Sequence, residues 1–204
     1  MNRSELKSLA KEQIKGKIFT IFLITLLIIG ITVVCNSVVI IGNIVYAIIA
    51  PGISLGFLMV YLKIADGKEI SIDDIFKGLN VFGKAFWLNI LVWFYTLLWT
   101  LLLYIPGIIK SLSYSAAPWI LADNPELTAS EALNKSKRVM NGYKWDLFIL
   151  ELSFIPWYIL VIFTFGIASI YVTPYMEVTL ANFYRKIGAF EEEITVLETE
   201  NIVS

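Results

Sequence analysis

Histidine is absent from this sequence and cysteine occurs once, at Cys35. Without imidazole there is no His-based general acid–base catalysis and no His-activated serine or cysteine nucleophile. A single thiol closes no intramolecular disulfide and builds no thiolate zinc site. Charged residues are scarce too, 16% against about 25% in soluble domains. The formal net charge of −1 supplies no basic surface, so nucleic acid is not an expected partner. No phosphate-binding glycine loop with lysine, no HExxH and no nucleophile elbow occurs. These absences leave no catalytic, cofactor-binding or metal-ligating set, and the expectation is a protein that is not an enzyme.

Apolar residues make up 58% of the chain and fall in long runs rather than at core-face periods. Runs near 20 residues match a hydrocarbon core about 30 Å thick. The basic N-terminus before an apolar run is reminiscent of a secretory signal, but the run is too long and lacks a small-residue cleavage site. Six runs read as spans: Ile18–Cys35, Val38–Leu62, Ala85–Tyr104, Gly107–Ala122, Trp145–Phe165 and Gly166–Tyr184. The fourth is short, about 24 Å as a helix. Polar turns are expected at Asn36-Ser37 and at Ile105-Pro106-Gly107, and a kink at Pro51-Gly52. The predicted fold class is all-α: a polytopic membrane protein with six transmembrane helices in three hairpins and amphipathic cytoplasmic helices between them. Residues 1–187 form a single membrane domain with an N-terminal amphipathic helix, and residues 188–204 a mobile acidic tail.

Three polar segments carry helical periodicity. Leu6, Leu9, Ala10 and Ile14 share one side of the first, which reads as a helix lying at the membrane surface. Ile72, Ile75, Phe76, Leu79 and Phe82 mark the second, after a capping-box-like Ser71-x-x-Asp74. Thr128-x-x-Glu131 opens the third, with Ala129, Ala132, Leu133, Ser136 and Met140 on its apolar face and Gly142 as its stop. Each segment ends on glycine, lysine and an aromatic close together: Gly16-Lys17-Phe19, Gly83-Lys84-Phe86 and Gly142-Lys144-Trp145. This pattern is either a triplicated helix-plus-hairpin unit or the generic need of a surface helix entering a bilayer for a stop, a snorkelling cation and an interfacial aromatic. Gly52 and Gly56 form a small-xxx-small pair suited to close packing, against a neighbour in the same chain in preference to a second copy.

Of the 16 basic residues, only Lys110 lies outside the N-terminal segment, the two polar segments and the tail. The positive-inside rule therefore places both termini in the cytoplasm. Within the spans the ionisable residues are Lys110, Glu151 and Glu177, and intramembrane charges are functional candidates by default. Glu151 and Glu177 both fall about 10 Å from the cytoplasmic side of regular helices, so one site could hold them, either as a protonatable or cation-linked pair or in a structural role. Lys110 starts the fourth run from the outer side and is expected to snorkel to headgroups. Asn89, Tyr114 and Ser115 are expected to hydrogen-bond between helices.

The stretches NRSELKSLAKEQIKGK at 2–17, SLGF at 54–57, IPGIIK at 105–110, SYS at 113–115, ILADNP at 120–125, SEAL at 130–133 and FYRKI at 183–187 together resemble the bacterial integral membrane proteins grouped as domain of unknown function 975. The resemblance runs from Met1 to about Ile187. It implies a multi-pass protein of a bacterial cytoplasmic membrane and transfers no functional residue. The expected activity is the binding or regulation of a lipid, a peptide or a partner membrane protein, with homo-oligomers possible. The alternative is a small transporter or channel using Glu151 and Glu177.

Overall fold

The computed structural model describes residues 2–37, 41–102 and 104–203, with side chains at 2–30, 32–33, 48–100 and 107–188. Among these residues the chain is all-helical with no strand. Helix α1 (Arg3–Ile14) begins at an Asn2 cap and stops before Gly16, whose φ of 86° an L side chain rarely adopts. There the chain turns by 82° into α2 (Ile18–Ser37). Asn36 and Ser37 end α2 rather than forming the expected turn, and residues 38–40 lie outside the described residues.

Helix α3 (Ile41–Ala65) packs on α2 and runs on through Pro51. The second polar segment departs from the expected amphipathic helix. It forms a single turn, α4 (Asp73–Phe76), followed by a 3-10 stretch (Lys77–Val81), and only Ile75 of the expected stripe is fully buried, while Ile72 and Phe76 are exposed. The cause is backbone contact: Gly78 rests on Gly52 and Gly56, and the Ile75 backbone meets Gly56. The small-residue pair of α3 thus receives a segment of its own chain, with no room there for a β-carbon. Ser71 donates its N–H to the Asp74 Oδ2 at 3.0 Å, half of a capping box. The Asp74 Oδ1 instead accepts from Lys63 and Lys77, each at 2.6 Å.

Helix α5 (Phe82–Leu102) lies against α6 (Tyr104–Tyr114), with Gly107 pressed on Thr100. The expected turn at 105–107 is instead the first turn of α6, where Pro106 is tolerated because that N–H has no helical acceptor. The fourth run breaks ahead of Pro118, and α7 (Ala117–Asp123) carries it to the polar loop. Helices α6 and α7 cover residues 104–123 with a break at Ser115-Ala116. Thr128 and Glu131 close the full capping box of α8 (Ala129–Val139), Gly142 adopts φ 87°, and the expected apolar face of α8 is buried throughout. Helices α9 (Lys144–Leu152) and α10 (Ile155–Phe163) continue one another across a break at Ser153-Phe154. Helix α11 (Ser169–Val203) then runs without interruption through the position where the tail was expected to begin.

Two packing relations organise the whole. Consecutive helices α2 and α3, α5 and α6, and α10 and α11 lie against each other. Each polar segment docks on a neighbouring pair: α4 and its 3-10 stretch on α3, α8 on α5 and α6, and α1 on α11. The first helix therefore fills against the last pair the place that the later polar segments fill against the pairs before them. Leu6, Ala10 and Ile14 make that face, whereas Leu9 is 40% exposed.

Candidate functional site

Helices α9, α10 and α11 bring Glu151 and Glu177 to one cleft of about 420 Å³, walled by Phe148, Phe154, Tyr158, Met176 and Leu180. Glu177 also borders a second cleft of about 400 Å³ on the other side of α11, between α2 and α3, beside Tyr61, Ser54 and Thr173. Glu151 is exposed and Glu177 half-buried. Neither carboxylate has a hydrogen bond or ion pair among the described residues. The surface around Glu151 is apolar: Leu152, Ile155, Tyr158 and Ile159 are each about half exposed, and farther along Phe163, Phe165 and Ile167 are more so.

Lys110 does not join them. Its ammonium lies 4.8 Å from the centroid of the Trp99 ring, across the α5–α6 pair, where a cation–π contact satisfies it locally. Asn89 hydrogen-bonds within its own helix, to the carbonyl of Ala85, because a carbonyl one turn back lies within reach of a short polar side chain, and the expected interhelical bond is not formed there. Ser115, just past α6, donates to the Leu112 carbonyl and also pairs with the Tyr184 side chain of α11, so its expected interhelical bond is present. Tyr114 does bridge elements: its ring and that of Tyr95 receive Lys137 of α8 at 5.7 and 5.6 Å.

That lysine has a counterpart. Lys11 of α1 lies 5.9 Å from the Trp157 ring and 5.7 Å from Tyr175, one aromatic from each helix of the last pair. In the sequence Ser4-Glu5 precedes Lys11 by the same spacing as Ser130-Glu131 precedes Lys137, and Ala10 and Ser136, Ile14 and Met140, Gly16 and Gly142 coincide in that register. All four of the paired apolar-face positions are fully buried, and both glycines have positive φ. One lysine further back, Lys7 donates to the Ser153 carbonyl at 3.0 Å and lies over Phe154 at 4.4 Å, so it caps the break between α9 and α10. Burial, with the charges of Arg3 and Lys11 beside it, pushes the Lys7 pKa down.

A second polar centre lies where α3 and α7 end, beside the middle of α11. Arg185 donates through Nε and Nη2 to both oxygens of Asp66, each at 2.8 Å, and through Nη1 to Asp123. Burial opposes the Asp66 charge, but the bonds from Lys68 and Arg185 outweigh it and hold the carboxyl below its ordinary pKa. This centre had a signal in the sequence. Ala65-Asp66-x-x-Glu69-Ile70-Ser71-x-x-Asp74 is matched by Ala122-Asp123-x-x-Glu126-Leu127-Thr128-x-x-Glu131, a repeat that places both aspartates at equivalent helix ends.

Fold and site together define an all-helical protein with helices long and apolar enough to cross a membrane: among the described residues, Ile48–Ala65, Asp73–Thr100 and Lys144–Phe163. The chain belongs to the family described as protein of unknown function, DUF975, whose model matches residues 1–110 and 100–191. No curated protein and no solved structure matches it.

Proposed function

We propose that the chain is a non-enzymatic binding protein of the bacterial cytoplasmic membrane. On this reading its six spans are α2, α3, α5, α6 with α7, α9 with α10, and the first part of α11. They form three hairpins with both termini in the cytoplasm. The distribution of basic residues and the exposed apolar faces of α2, α5 and α10 support that topology. The ligand would be a lipid, peptide or membrane-protein segment that brings a cationic amine and an apolar body to the cleft of Glu151 and Glu177. One observation carries the reading: two carboxylates without partners among the described residues border one cleft set in an apolar face.

The direct test is binding to the purified protein in nanodiscs. Dodecylamine is expected to bind and to raise the thermal midpoint, dodecanoic acid to do neither, and the Glu151→Gln/Glu177→Gln double variant to bind the amine at least tenfold more weakly. Equal binding of the acid and the amine, or an unchanged affinity in the double variant, would sink the reading.

A second reading, a small transporter or channel, is favoured by the position of Glu177 between clefts on both sides of α11. It requires that Glu177→Gln abolish any proton- or cation-coupled flux in proteoliposomes. Flux untouched by substitution of both glutamates excludes it.

A further inference from the structure

The junction held by Arg185 borders a half-open cavity of about 280 Å³ that neither glutamate lines. Four elements meet around it: Leu62 near the end of α3, Trp119, Asp123 and Asn124 of α7 and its cap, Lys135 of α8, and Tyr184 with Arg185 of α11, the Asp123 carboxylate being already engaged by Arg185. The Trp119 and Tyr184 rings lie 5.3 Å apart and 34° from parallel, forming an aromatic wall. Opposite charges balance in the junction itself, where Lys68 and Arg185 face Asp66 and Asp123. Lys135 is the exception. It lines the cavity half-buried and has no hydrogen-bond or ion-pair partner among the described residues. The cavity is therefore left with one uncompensated positive charge.

The donors present narrow the class of ligand. An ammonium offers three N–H groups, and a guanidinium has five, of which Arg185 commits three to carboxylates. Five N–H groups thus remain on two side chains of the lining. Donors in several directions suit a tetrahedral anion with three or more acceptor oxygens better than a planar carboxylate. The volume lies just below the range of about 300–1,000 Å³ for drug-sized ligands, which fits a phosphate carrying a short carbon group against the ring pair. We propose that this cavity binds a phosphate ester, with the phosphate on Lys135 and the remaining N–H groups of Arg185, and the ester carbons against Trp119 and Tyr184. The ester is either the headgroup of an anionic phospholipid or a water-soluble phosphate. The assignment is independent of the Glu151–Glu177 cleft and stands or falls separately.

Tryptophan fluorescence of the full chain in phosphate-free maltoside detergent tests it, with Trp119→Phe identifying the responding ring. Inorganic phosphate, glycerol 3-phosphate and dihexanoyl phosphatidylglycerol are titrated in turn. The proposal expects a saturable change with at least one ester and weaker binding of inorganic phosphate. Lys135→Gln is expected to weaken that binding at least tenfold, Lys135→Arg to restore most of it, and Lys15→Gln, outside the cavity, to leave it unchanged. Saturation by glycerol 3-phosphate assigns a soluble ligand; saturation by the lipid alone assigns a headgroup. No saturable response to either ester, equal loss in Lys15→Gln and Lys135→Gln, or full binding by Lys135→Gln would overturn it. Should Lys135→Gln not fold, failure of Lys135→Arg to bind while its thermal midpoint is retained would overturn it equally.

Discussion

A methyl group at position 56 would have to share space with the backbone carbonyl of Ile75, and one at position 78 with the backbone of Gly52 and Gly56. Backbone has nowhere to retreat, so Gly56→Ala is expected to cost about 1–3 kcal/mol. Gly83→Ala, in open space within α5, should be neutral or slightly stabilising, since alanine is the better helix former. Thermal unfolding of the two variants in the same detergent checks the contrast. Asp66 makes a prediction about pH. Its folded pKa lies below the ordinary value of about 3.9, because Lys68 and Arg185 outweigh its burial. The stability this contributes is present above about pH 4 and is lost as pH falls through the lower folded value. Unfolding midpoints followed from pH 6 to pH 3 should therefore drop more steeply in the wild type than in Asp66→Asn, and parallel curves would contradict the assignment. At this scale the sequence was partly legible. Spacing marked Gly52 and Gly56 as a close-packing pair, and Glu151 and Glu177 as residues of similar depth. The Arg185 junction was overlooked because its partners lie 119 and 62 positions away, although the repeated Ala-Asp-x-x-Glu stretch pointed to it.

Among the elements, α1 makes contacts its sequence does not announce. Its amphipathic pattern predicts a helix with one apolar face, and in the structure that face lies on α11, to which specific bonds tie it. Gln13 and Asn182 exchange side-chain amide hydrogen bonds at 2.6 and 3.3 Å, and Gln13 also donates to the Ala65 carbonyl at 2.6 Å. Periodicity reports that a face is apolar but not what covers it, and a bilayer and a helix pair present the same requirement. A double-mutant cycle on Gln13→Ala and Asn182→Ala is expected to give a coupling energy of about 0.5–3 kcal/mol, measured by unfolding. Additive effects would mean that the Gln13–Asn182 bonds do not hold α1 in place. The polar segment at 71–82 failed as a helix for a related reason. Its apolar positions have helical spacing, but the contact of Gly78 with α3 tightens the backbone into a 3-10 stretch, and a tertiary contact of that kind leaves no mark in local periodicity. The full capping box at Thr128 and the stops at Gly16 and Gly142, by contrast, are decided locally and were readable where they stand.

For the whole molecule, α2 lies on α3, α5 on α6 and α10 on α11, and the polar segments lie on α3, on α5 and α6, and, for the first of them, on α11. This favours the triplicated unit over the generic requirements of membrane entry, since Lys11 and Lys137 reach ring pairs in equivalent register. The middle segment differs, substituting glycine contact for a lysine over rings. The all-helical class and three of the six apolar runs, those in Ile48–Ala65, Asp73–Thr100 and Lys144–Phe163, were legible because a run of that length and composition marks itself locally. How the pairs meet was not, because it rests on contacts between residues far apart in the chain. The central claim is that Glu151 and Glu177 form a membrane-embedded acceptor for an amine-bearing ligand. Carbodiimide modification of the protein in nanodiscs, read by peptide mass spectrometry, tests it most directly. Apolar dicyclohexylcarbodiimide is expected to modify Glu151 and Glu177, with dodecylamine protecting both, while a membrane-impermeant carbodiimide modifies Glu191, Glu192 and Glu193 and spares the pair. Modification of Glu151 and Glu177 by the impermeant reagent as fast as those tail glutamates, or no protection by the amine, would contradict the account.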